Sequence, residues 1–200
     1  IAVSLVHPAT TAALGFAAVP AGPGDDVFIA GAGGNVGNAA VTYAATCGAR
    51  VVANASPEDF ARVKRAGAHV VVDYQLGAED IVRHVPRGAD VVWDCSGRMG
   101  NDDLATIAGV KGHIIVTAAT AHPAPVPWVK LYTKDITVKG FVHSRATVEQ
   151  MAHAAKSVNA LLSDDALIPS HIHVERLSHA RWAHEQMEAG QVKGRIVLTP

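Results

Sequence analysis

The feature of this sequence best suited to chemistry is a glycine-dense turn that directly follows an apolar run. Residues 27–37 read Val-Phe-Ile-Ala-Gly-Ala-Gly-Gly-Asn-Val-Gly, and a helical pattern over 35–47 follows. Gly31 would allow a tight exit from the strand, Gly34 a close backbone approach to a phosphate, and Gly37 close packing of helix on strand. The helix would point its free N–H groups at the anion. The spacing predicts a site for the pyrophosphate of a dinucleotide, and a plain tight turn is the alternative.

This turn is positioned by a regular alternation of strand and helix patterns. The β-branched runs predict parallel strands buried on both faces. Such alternation implies right-handed crossovers, and therefore an α/β fold of the Rossmann type: a doubly wound parallel sheet with helices on both faces. The predicted strands are 27–30, 51–53, 70–73, 91–94, 113–116, 136–141, 171–174 and 195–198, and the predicted helices are 9–18, 35–47, 57–66, 79–84, 102–108, 146–162 and 177–189.

The 200 residues read as a single nucleotide-binding domain without an internal repeat or a linker. A leading helical region spans 1–18, the sheet core spans 27–141, and closing helices with a last strand occupy 142–200. A proline-rich connection at 121–127 interrupts the alternation before the strand at 136–141.

The composition argues against several classes of partner. Lys and Arg number 17 against 18 Asp and Glu, so the net charge of −1 gives no field to attract nucleic acid or an anionic membrane. No apolar run reaches the length of a membrane span. The two cysteines, Cys47 and Cys95, lie on different predicted elements, which favours a reduced, cytoplasmic protein over a disulfide framework.

Short motifs occur in a specific order along nearly the whole chain. They are Thr-Ala at 11–12, Pro-Gly-Asp at 23–25, Gly-Ala-Gly-Gly-Asn-Val-Gly at 31–37, Asp-Val-Val-Trp-Asp-Cys-Ser-Gly at 90–97, Val-Lys-Gly-Phe at 138–141 and Gly-Gln-Val-Lys-Gly-Arg-Ile-Val-Leu at 190–198. In order and spacing they resemble the nucleotide-binding half of the medium-chain dehydrogenase/reductase superfamily. The quinone oxidoreductase and zinc-type alcohol dehydrogenase branches are the nearest.

The resemblance implies an oxidoreductase that uses NAD(P)H and a small-molecule substrate: a quinone, an enone or a carbonyl/alcohol pair. Members of the superfamily carry a preceding GroES-like catalytic domain, and nothing like it stands before Ile1. We therefore expect cofactor machinery that is inactive without a catalytic domain. Two alternatives stay open, a non-redox nucleotide-binding or scaffold module and a fold recruited for non-redox biosynthetic chemistry.

The end of the second strand selects between NADP and NAD. An acid there would accept a hydrogen bond from the ribose 2′-OH of NAD and repel the 2′-phosphate of NADP. The strand instead ends near Asn54 and Ser56, which favours NADP(H). Ser56 also suits a helix N-cap, a role that needs no cofactor. Tyr74 resembles a tyrosine that lies along this part of the cofactor in quinone-oxidoreductase-like members. The lysine that such members often place in the next helix falls here at Asp59 or Phe60, so NAD is also possible.

The resemblance also implies contacts to the rest of the cofactor. Cys95 is either a reactive thiol or a small buried residue whose backbone makes the contacts. The backbone amides implied to bind the pyrophosphate are those of Gly34, Asn35, Val36 and Gly37, and the residues implied at the nicotinamide half are Thr11, Cys95, Ser96, Thr117, Ala118, Phe141 and His143.

His7 stands four residues before Thr11, the offset at which zinc-type members place a cysteine ligand. Imidazole can replace thiolate on zinc, but one ligand makes no site. His171 and His173 point to one face of a strand without a recognisable third ligand. We predict no metal site.

The strand from Ile136 to Gly140 matches the edge strand through which family members pair with a twofold mate. An open β-branched edge invites association. We therefore expect a homodimer through this edge.

Overall fold

A computed structural model describes residues 2–118 and 125–200. Ala119, beside the predicted tip of the fifth strand, and the proline-rich connection up to position 124 lie outside the described residues. The helices are α1 (Ala2–Ala18), α2 (Asn35–Thr46), α3 (Phe60–Arg65), α4 (Ala78–Val82), α5 (Asn101–Ile107), α6 (Trp128–Thr133), α7 (Val148–Ser163) and α8 (Ala180–Glu188). The strands are β1 (Asp26–Ala30), β2 (Arg50–Ala55), β3 (Val70–Asp73), β4 (Ala89–Asp94), β5 (Ala108–Val116), β6 (Thr137–Gly140), β7 (Ile172–Arg176) and β8 (Arg195–Thr199). Among these helices, none is both long enough and apolar enough to cross a membrane.

Strands β1 to β6 form one parallel sheet in the order β3-β2-β1-β4-β5-β6. The chain moves from β1 to β2 and β3, then returns to place β4 on the other side of β1. The order therefore reverses between β1 and β4, which is where open α/β sheets bind ligands. This confirms the predicted doubly wound sheet. β7 and β8 pair in parallel as a second sheet of their own, which the strand patterns did not foretell.

The sheet is buried on both faces because successive side chains of each strand point in opposite directions. In β1, Val27 and Ile29 pack into the core beneath α1, α2 and α7. Phe28 and Ala30 pack into the core on the other face, beneath α4 and α5. This confirms helices on both faces and explains why β1 reads as a continuous apolar run.

Helix α1 begins at Ala2, within the leading region expected to be helical over 1–18 and before the helical pattern at 9–18. Pro8 lies inside this helix, although proline lacks the N–H that a helix interior needs. In the fold, Leu5 and Pro8 are buried, and Leu5 belongs to the core between α1 and its neighbours. Tertiary burial thus extends the helix through a residue that disfavours it.

Strand β5 begins at Ala108 rather than at the predicted residue 113. Its first half contains Gly109 and Gly112, which do not read as strand residues. The pairing with β4 shifts register between Ala89 and Val91, so this half is an irregular, bulged extension. Glycine suits it because a Cβ at Gly112 would lie 2.9 Å from the carbonyl oxygen of Ala89.

Candidate dinucleotide-binding site

The glycine turn after β1 has close backbone packing that larger residues would disrupt. Gly31 has a φ of +73°, and a Cβ there would lie 2.9 Å from Cβ of Ser96. A Cβ at Gly37 would lie 2.3 Å from the carbonyl oxygen of Gly31. Helix α2 can therefore pack against the turn only with glycine at this position.

The start of α2 is open to an anion. Gly34 is the N-cap residue, in an extended conformation, and it brings no side-chain cap to the helix. The first turn, which includes Asn35 and Val36, contains no acidic residue. Because the first N–H groups of a helix lack intrahelical partners, this end combines available donors with the positive end of the helix dipole. It has the character of a phosphate site.

Asn54, at the tip of β2, holds the glycine turn in place. Its side chain is 4% exposed, and Oδ1 accepts a hydrogen bond of 2.7 Å from the N–H of Gly31. Its carbonyl oxygen accepts another, of 2.9 Å, from the N–H of Ala32. The oxygen end of this side chain is therefore directed at the turn rather than at a ribose phosphate.

Asp94 is a positioning residue that sequence reasoning missed. Its buried Oδ1 accepts hydrogen bonds from the N–H and hydroxyl of Ser96, at 2.8 and 2.7 Å, and from the N–H of Gly97 at 3.1 Å. The carboxylate thereby fixes the turn after β4 against Gly31. The Asp-Cys-Ser-Gly run after an apolar strand is the available signal, because aspartate often accepts from backbone amides that follow it in a turn.

Two cavities adjoin along the carboxyl edge of the sheet, and Cys95 lines both. The β2-side cavity, of about 500 Å³, borders the glycine turn and the tips of β2, β3 and β4. The β5-side cavity, of about 320 Å³, borders α1, the start of α2, the tip of β5 and the segment after β6. Together they follow the edge of the sheet across the point where the strand order reverses.

Most of the predicted site residues line one of these two cavities. Those on the β2-side cavity are Gly31, Gly34, Asn54, Ser56, Tyr74, Cys95 and Ser96. Those on the β5-side cavity are Thr11, Val36, Cys95, Thr117, Ala118, Phe141 and His143.

Asn35 and Gly37 line neither of these cavities. The hydroxyl of Ser170 donates a hydrogen bond of 2.7 Å to Oδ1 of Asn35, and Asn35 borders a separate hollow beside α8 and β8. The side-chain oxygen of Asn35 is therefore engaged away from the two cavities. The contribution of Gly37 is the close packing described above.

At the mouth of the β2-side cavity, Asp59 is held by two donors. Its carboxylate accepts hydrogen bonds from the hydroxyl of Ser56 at 3.0 Å and from the guanidinium of Arg62 at 3.1 Å. Arg62 also donates to the carbonyl oxygen of Gly33, which ties α3 to the glycine turn. Ser56 does occupy an N-cap position, but its hydroxyl donates to this carboxylate instead of accepting from the helix backbone.

Lys193, from the loop between α8 and β8, reaches the same cavity. Its Nζ forms an ion pair with Glu58 and lies 3.5 Å from the carboxylate of Asp59. The hydrogen bond and charge of Lys193 lower the pKa of Glu58, and the same hydrogen bond raises the pKa of Lys193. Desolvation acts to raise the pKa of Asp59, but its hydrogen bonds and the neighbouring cations outweigh it and lower the pKa. All three groups are therefore charged at neutral pH.

The β5-side cavity rests on a buried aromatic cluster. Trp93 is fully buried, and its Nε1 donates a hydrogen bond of 2.9 Å to the hydroxyl of Thr117. Its ring packs edge-on against Phe16 and Phe141, with centroids 5.3 and 6.0 Å away. Trp93 thus positions Thr117 and Phe141, which line the cavity.

Two histidines meet at the far end of this cavity. The rings of His7 and His143 lie 4.5 Å apart between centroids. Burial, followed by the charge of His7, lowers the pKa of His143, so this ring is neutral at neutral pH. Within residues 2–118 and 125–200, no group of three or more His, Cys, Asp or Glu is placed to hold a metal ion.

Cys95 has the environment of an unreactive thiol. Burial, followed by the carboxylate of Asp94, raises its pKa well above the ordinary value. The thiolate is the nucleophilic form of cysteine, and the raised pKa makes it scarce at neutral pH. The structure therefore favours the interpretation of Cys95 as a small residue of the cavity wall.

A parallel sheet of this order, with a glycine turn at its reversal point, defines a nucleotide-binding domain of the Rossmann type. The family model for zinc-binding dehydrogenases matches residues 35–157, which is more than half of the chain. The chain belongs to this family, which confirms the resemblance to medium-chain dehydrogenases/reductases.

Several relatives and solved structures resemble the chain. A 2-haloacrylate reductase from a Burkholderia species is 27% identical over 190 residues, 89% of this chain and 56% of the relative. An alcohol dehydrogenase from Rhizobium meliloti is 28% identical over 184 residues, 88% of this chain and 50% of the relative. The chain thus spans about half the length of the curated relatives it matches.

Among solved structures, a mycobacterial quinone oxidoreductase is similar to this chain with a TM-score of 0.86 and 25% identity. The match covers 100% of this chain and 64% of that structure. A mycobacterial protein complexed with NADPH has a TM-score of 0.80 and 25% identity over 96% of this chain and 62% of that structure.

Proposed function

We propose that this chain is the cofactor-binding part of an NADP(H)-dependent oxidoreductase acting on a quinone, an enone or a carbonyl/alcohol substrate. The observation that carries the proposal is the pair of adjoining cavities at the reversal point of the sheet, bordered by the glycine turn and the uncapped start of α2. The NADPH complex of a mycobacterial structural neighbour and the reductase and dehydrogenase names of the relatives support it.

Each part of the edge has a role in this proposal. The uncapped start of α2 binds the pyrophosphate. The tip of β2 ends in Asn54 and Ala55 rather than in an acid, so the 2′-phosphate would lie near Ser56 and Tyr74, with Asp59 held beside them by Ser56 and Arg62. The β5-side cavity takes the nicotinamide, which supplies or accepts the hydride when it is bound. Thr117 and Phe141 orient that ring, because Trp93 holds both in place.

Titration of the chain with NADPH, followed by nicotinamide fluorescence, tests the proposal. We expect saturable binding. Val36→Glu adds an acid to the first turn of α2 beside the cavity, and we expect it to weaken binding by about tenfold through repulsion of the phosphates. Val148→Glu, the same change on an exposed residue in the first turn of α7, controls for the added charge, and circular dichroism checks that the Val36→Glu variant is folded, because Val36 packs against the core.

Two outcomes would contradict this proposal. Failure of NADPH to bind would favour a scaffold or a fold recruited for other chemistry. Equal binding by the wild type and the Val36→Glu variant, with both folded, would place the cofactor elsewhere.

We further propose that two copies pair through β6, the edge strand of the main sheet. Exposed apolar side chains on the helix that precedes β6 support the pairing: Trp128, Val129 and Tyr132 of α6 are 70%, 66% and 74% exposed. Val138 of β6 adds to it at 50% exposure. Open strand edges and exposed apolar side chains are both typical of association sites.

We also propose a cytoplasmic location for the protein. The support is that Cys47 and Cys95 are both free thiols, which persist best in a reducing compartment. Cell fractionation tests this, and recovery of the native protein outside the cytoplasm would contradict it.

A further inference from the structure

We propose that Lys193 selects NADP(H) over NAD(H) by binding the 2′-phosphate of the cofactor, a role that rests on the proposed function. Glu58 and Asp59 occupy the turn that leads into the helix after β2, and Arg62, in the first turn of that helix, is engaged with Asp59 and with the carbonyl oxygen of Gly33. The structure brings Lys193 there from the other end of the chain, and it lines the β2-side cavity together with Ser56 and Tyr74.

The position of the Lys193 ammonium group follows from its ion pairs. Nζ contacts the carboxylates of Glu58 and Asp59, which lie in the short turn after β2. A dinucleotide with its pyrophosphate on α2 places the 2′ position of its adenosine ribose at the tip of β2. The charge of Lys193 is therefore at the site where an acid would select NAD and where a cation selects NADP.

The backbone that carries Lys193 is fixed by its neighbours. The next residue, Gly194, has a φ of +101°, and the N–H of Arg195 donates a hydrogen bond of 2.8 Å to the carbonyl oxygen of His171. The carbonyl oxygen of Lys193 also lies 3.3 Å from Nε2 of His173. The loop thus presents the lysine at a defined place, which lowers the entropic cost of ordering it on a ligand.

The two carboxylates differ in how much they depend on Lys193. Asp59 also has hydrogen bonds from Ser56 and Arg62, so it retains donors when Lys193 turns toward a phosphate. Glu58 is exposed, and in the described part of the chain its carboxylate has, apart from Lys193, only a weak contact, 3.4 Å from the hydroxyl of Ser56. It therefore competes with a phosphate for the ammonium group of Lys193. A phosphate dianion is a stronger acceptor than a single solvated carboxylate. Glu58 therefore acts against NADP(H) binding and Lys193 acts for it.

Paired substitutions in the full chain test this assignment, with NADPH and NADH titrated separately. For Lys193→Gln, we expect NADPH affinity to fall by about tenfold and NADH affinity to stay within about twofold, because only NADPH carries the 2′-phosphate. For Glu58→Gln, we expect NADPH affinity to rise by about twofold to fivefold, with NADH unchanged, because the competing acceptor is gone. The matched control, Lys156→Gln, removes an exposed lysine of α7 and should change neither affinity.

The opposite signs separate recognition from a structural role. If the ion pair merely holds the loop in place, both variants lose the same contact and should weaken both cofactors alike. That result would overturn the assignment, as would an unchanged NADPH to NADH ratio in Lys193→Gln. Binding of both cofactors without discrimination would contradict this inference alone, whereas binding of neither would overturn the proposed function as well.

Discussion

Trp93 connects the hydrophobic core to the candidate site at the scale of single residues. Its indole N–H holds Thr117, and its ring contacts Phe16 and Phe141. The tight fit extends to α1, where a Cβ on Gly15 would lie 2.1 Å from the indole ring. Gly15 is thus required for the packing of Trp93, although glycine is a poor helix former.

Gly15→Ala is therefore expected to destabilise the protein, although alanine is a better helix former than glycine. Alanine should favour α1 by about 1 kcal/mol, but the overlap with a fully buried ring should cost more, with a net loss of about 1–3 kcal/mol. Urea unfolding measures the difference. Gly22→Ala is the control, because its Cβ would meet only the carbonyl oxygen of Cys47 at 4.0 Å. Equal stability of the Gly15→Ala variant and the wild type would refute the packing argument.

The sequence reveals some of the site residues better than others. Glycines at fixed spacing after an apolar run predict the turn, because backbone geometry alone dictates them. The lack of an acid at the tip of β2 itself, at Asn54 and Ala55, is likewise visible as a local pattern. Lys193 is not predictable in this way, because its place at the cavity depends on how the loop before β8 folds back. Asn54 was predicted at the site, but its contact with Gly31 depends on the pairing of β1 with β2.

At the scale of elements, Lys134 joins α6 to the end of α5. Its Nζ donates hydrogen bonds to the carbonyl oxygens of Ala105, Thr106 and Ala108, at 2.9, 3.1 and 2.8 Å. The last carbonyls of a helix lack intrahelical partners, and a cation there also complements the helix dipole. This contact fixes the approach of α5 to β5.

Replacing this cap should be costly. Lys134→Met keeps most of the aliphatic chain but leaves the carbonyl oxygens without their charged donor, so we expect a loss of about 1–3 kcal/mol. Thermal or urea unfolding gives the value. Lys156→Met, on the exposed face of α7, should change stability by less than about 0.5 kcal/mol. Similar losses for the two variants would contradict the capping role.

The elements that the sequence predicts well are those whose local pattern agrees with their burial. β3 has the predicted bounds, and β1 and α2 differ from prediction by one residue at one end. The early turns of α1 contain a proline that tertiary packing overrides, and the first half of β5 was missed because its glycines do not read as strand residues. The separate pairing of β7 with β8 is a long-range choice that strand patterns do not encode.

At the scale of the whole molecule, the proposed dimer makes the mass of the protein informative. Val138→Glu places a charge on the exposed edge of β6, which should oppose pairing between copies. Light scattering at micromolar concentration should give a dimer mass for the wild type and a lower mass for this variant. Val148→Glu, the same change on an exposed residue of α7, should leave the dimer intact. A monomeric wild type would contradict the proposal.

If the carboxyl edge of the main sheet binds NADP(H), a crystal structure of the full chain grown with NADP⁺ will show the cofactor there. We predict that the pyrophosphate lies against the backbone amides at 34–37, with the nicotinamide beside Thr117 and the 2′-phosphate within reach of Lys193. Cofactor density at another surface, or none at concentrations that saturate fluorescence binding, would contradict binding at this edge.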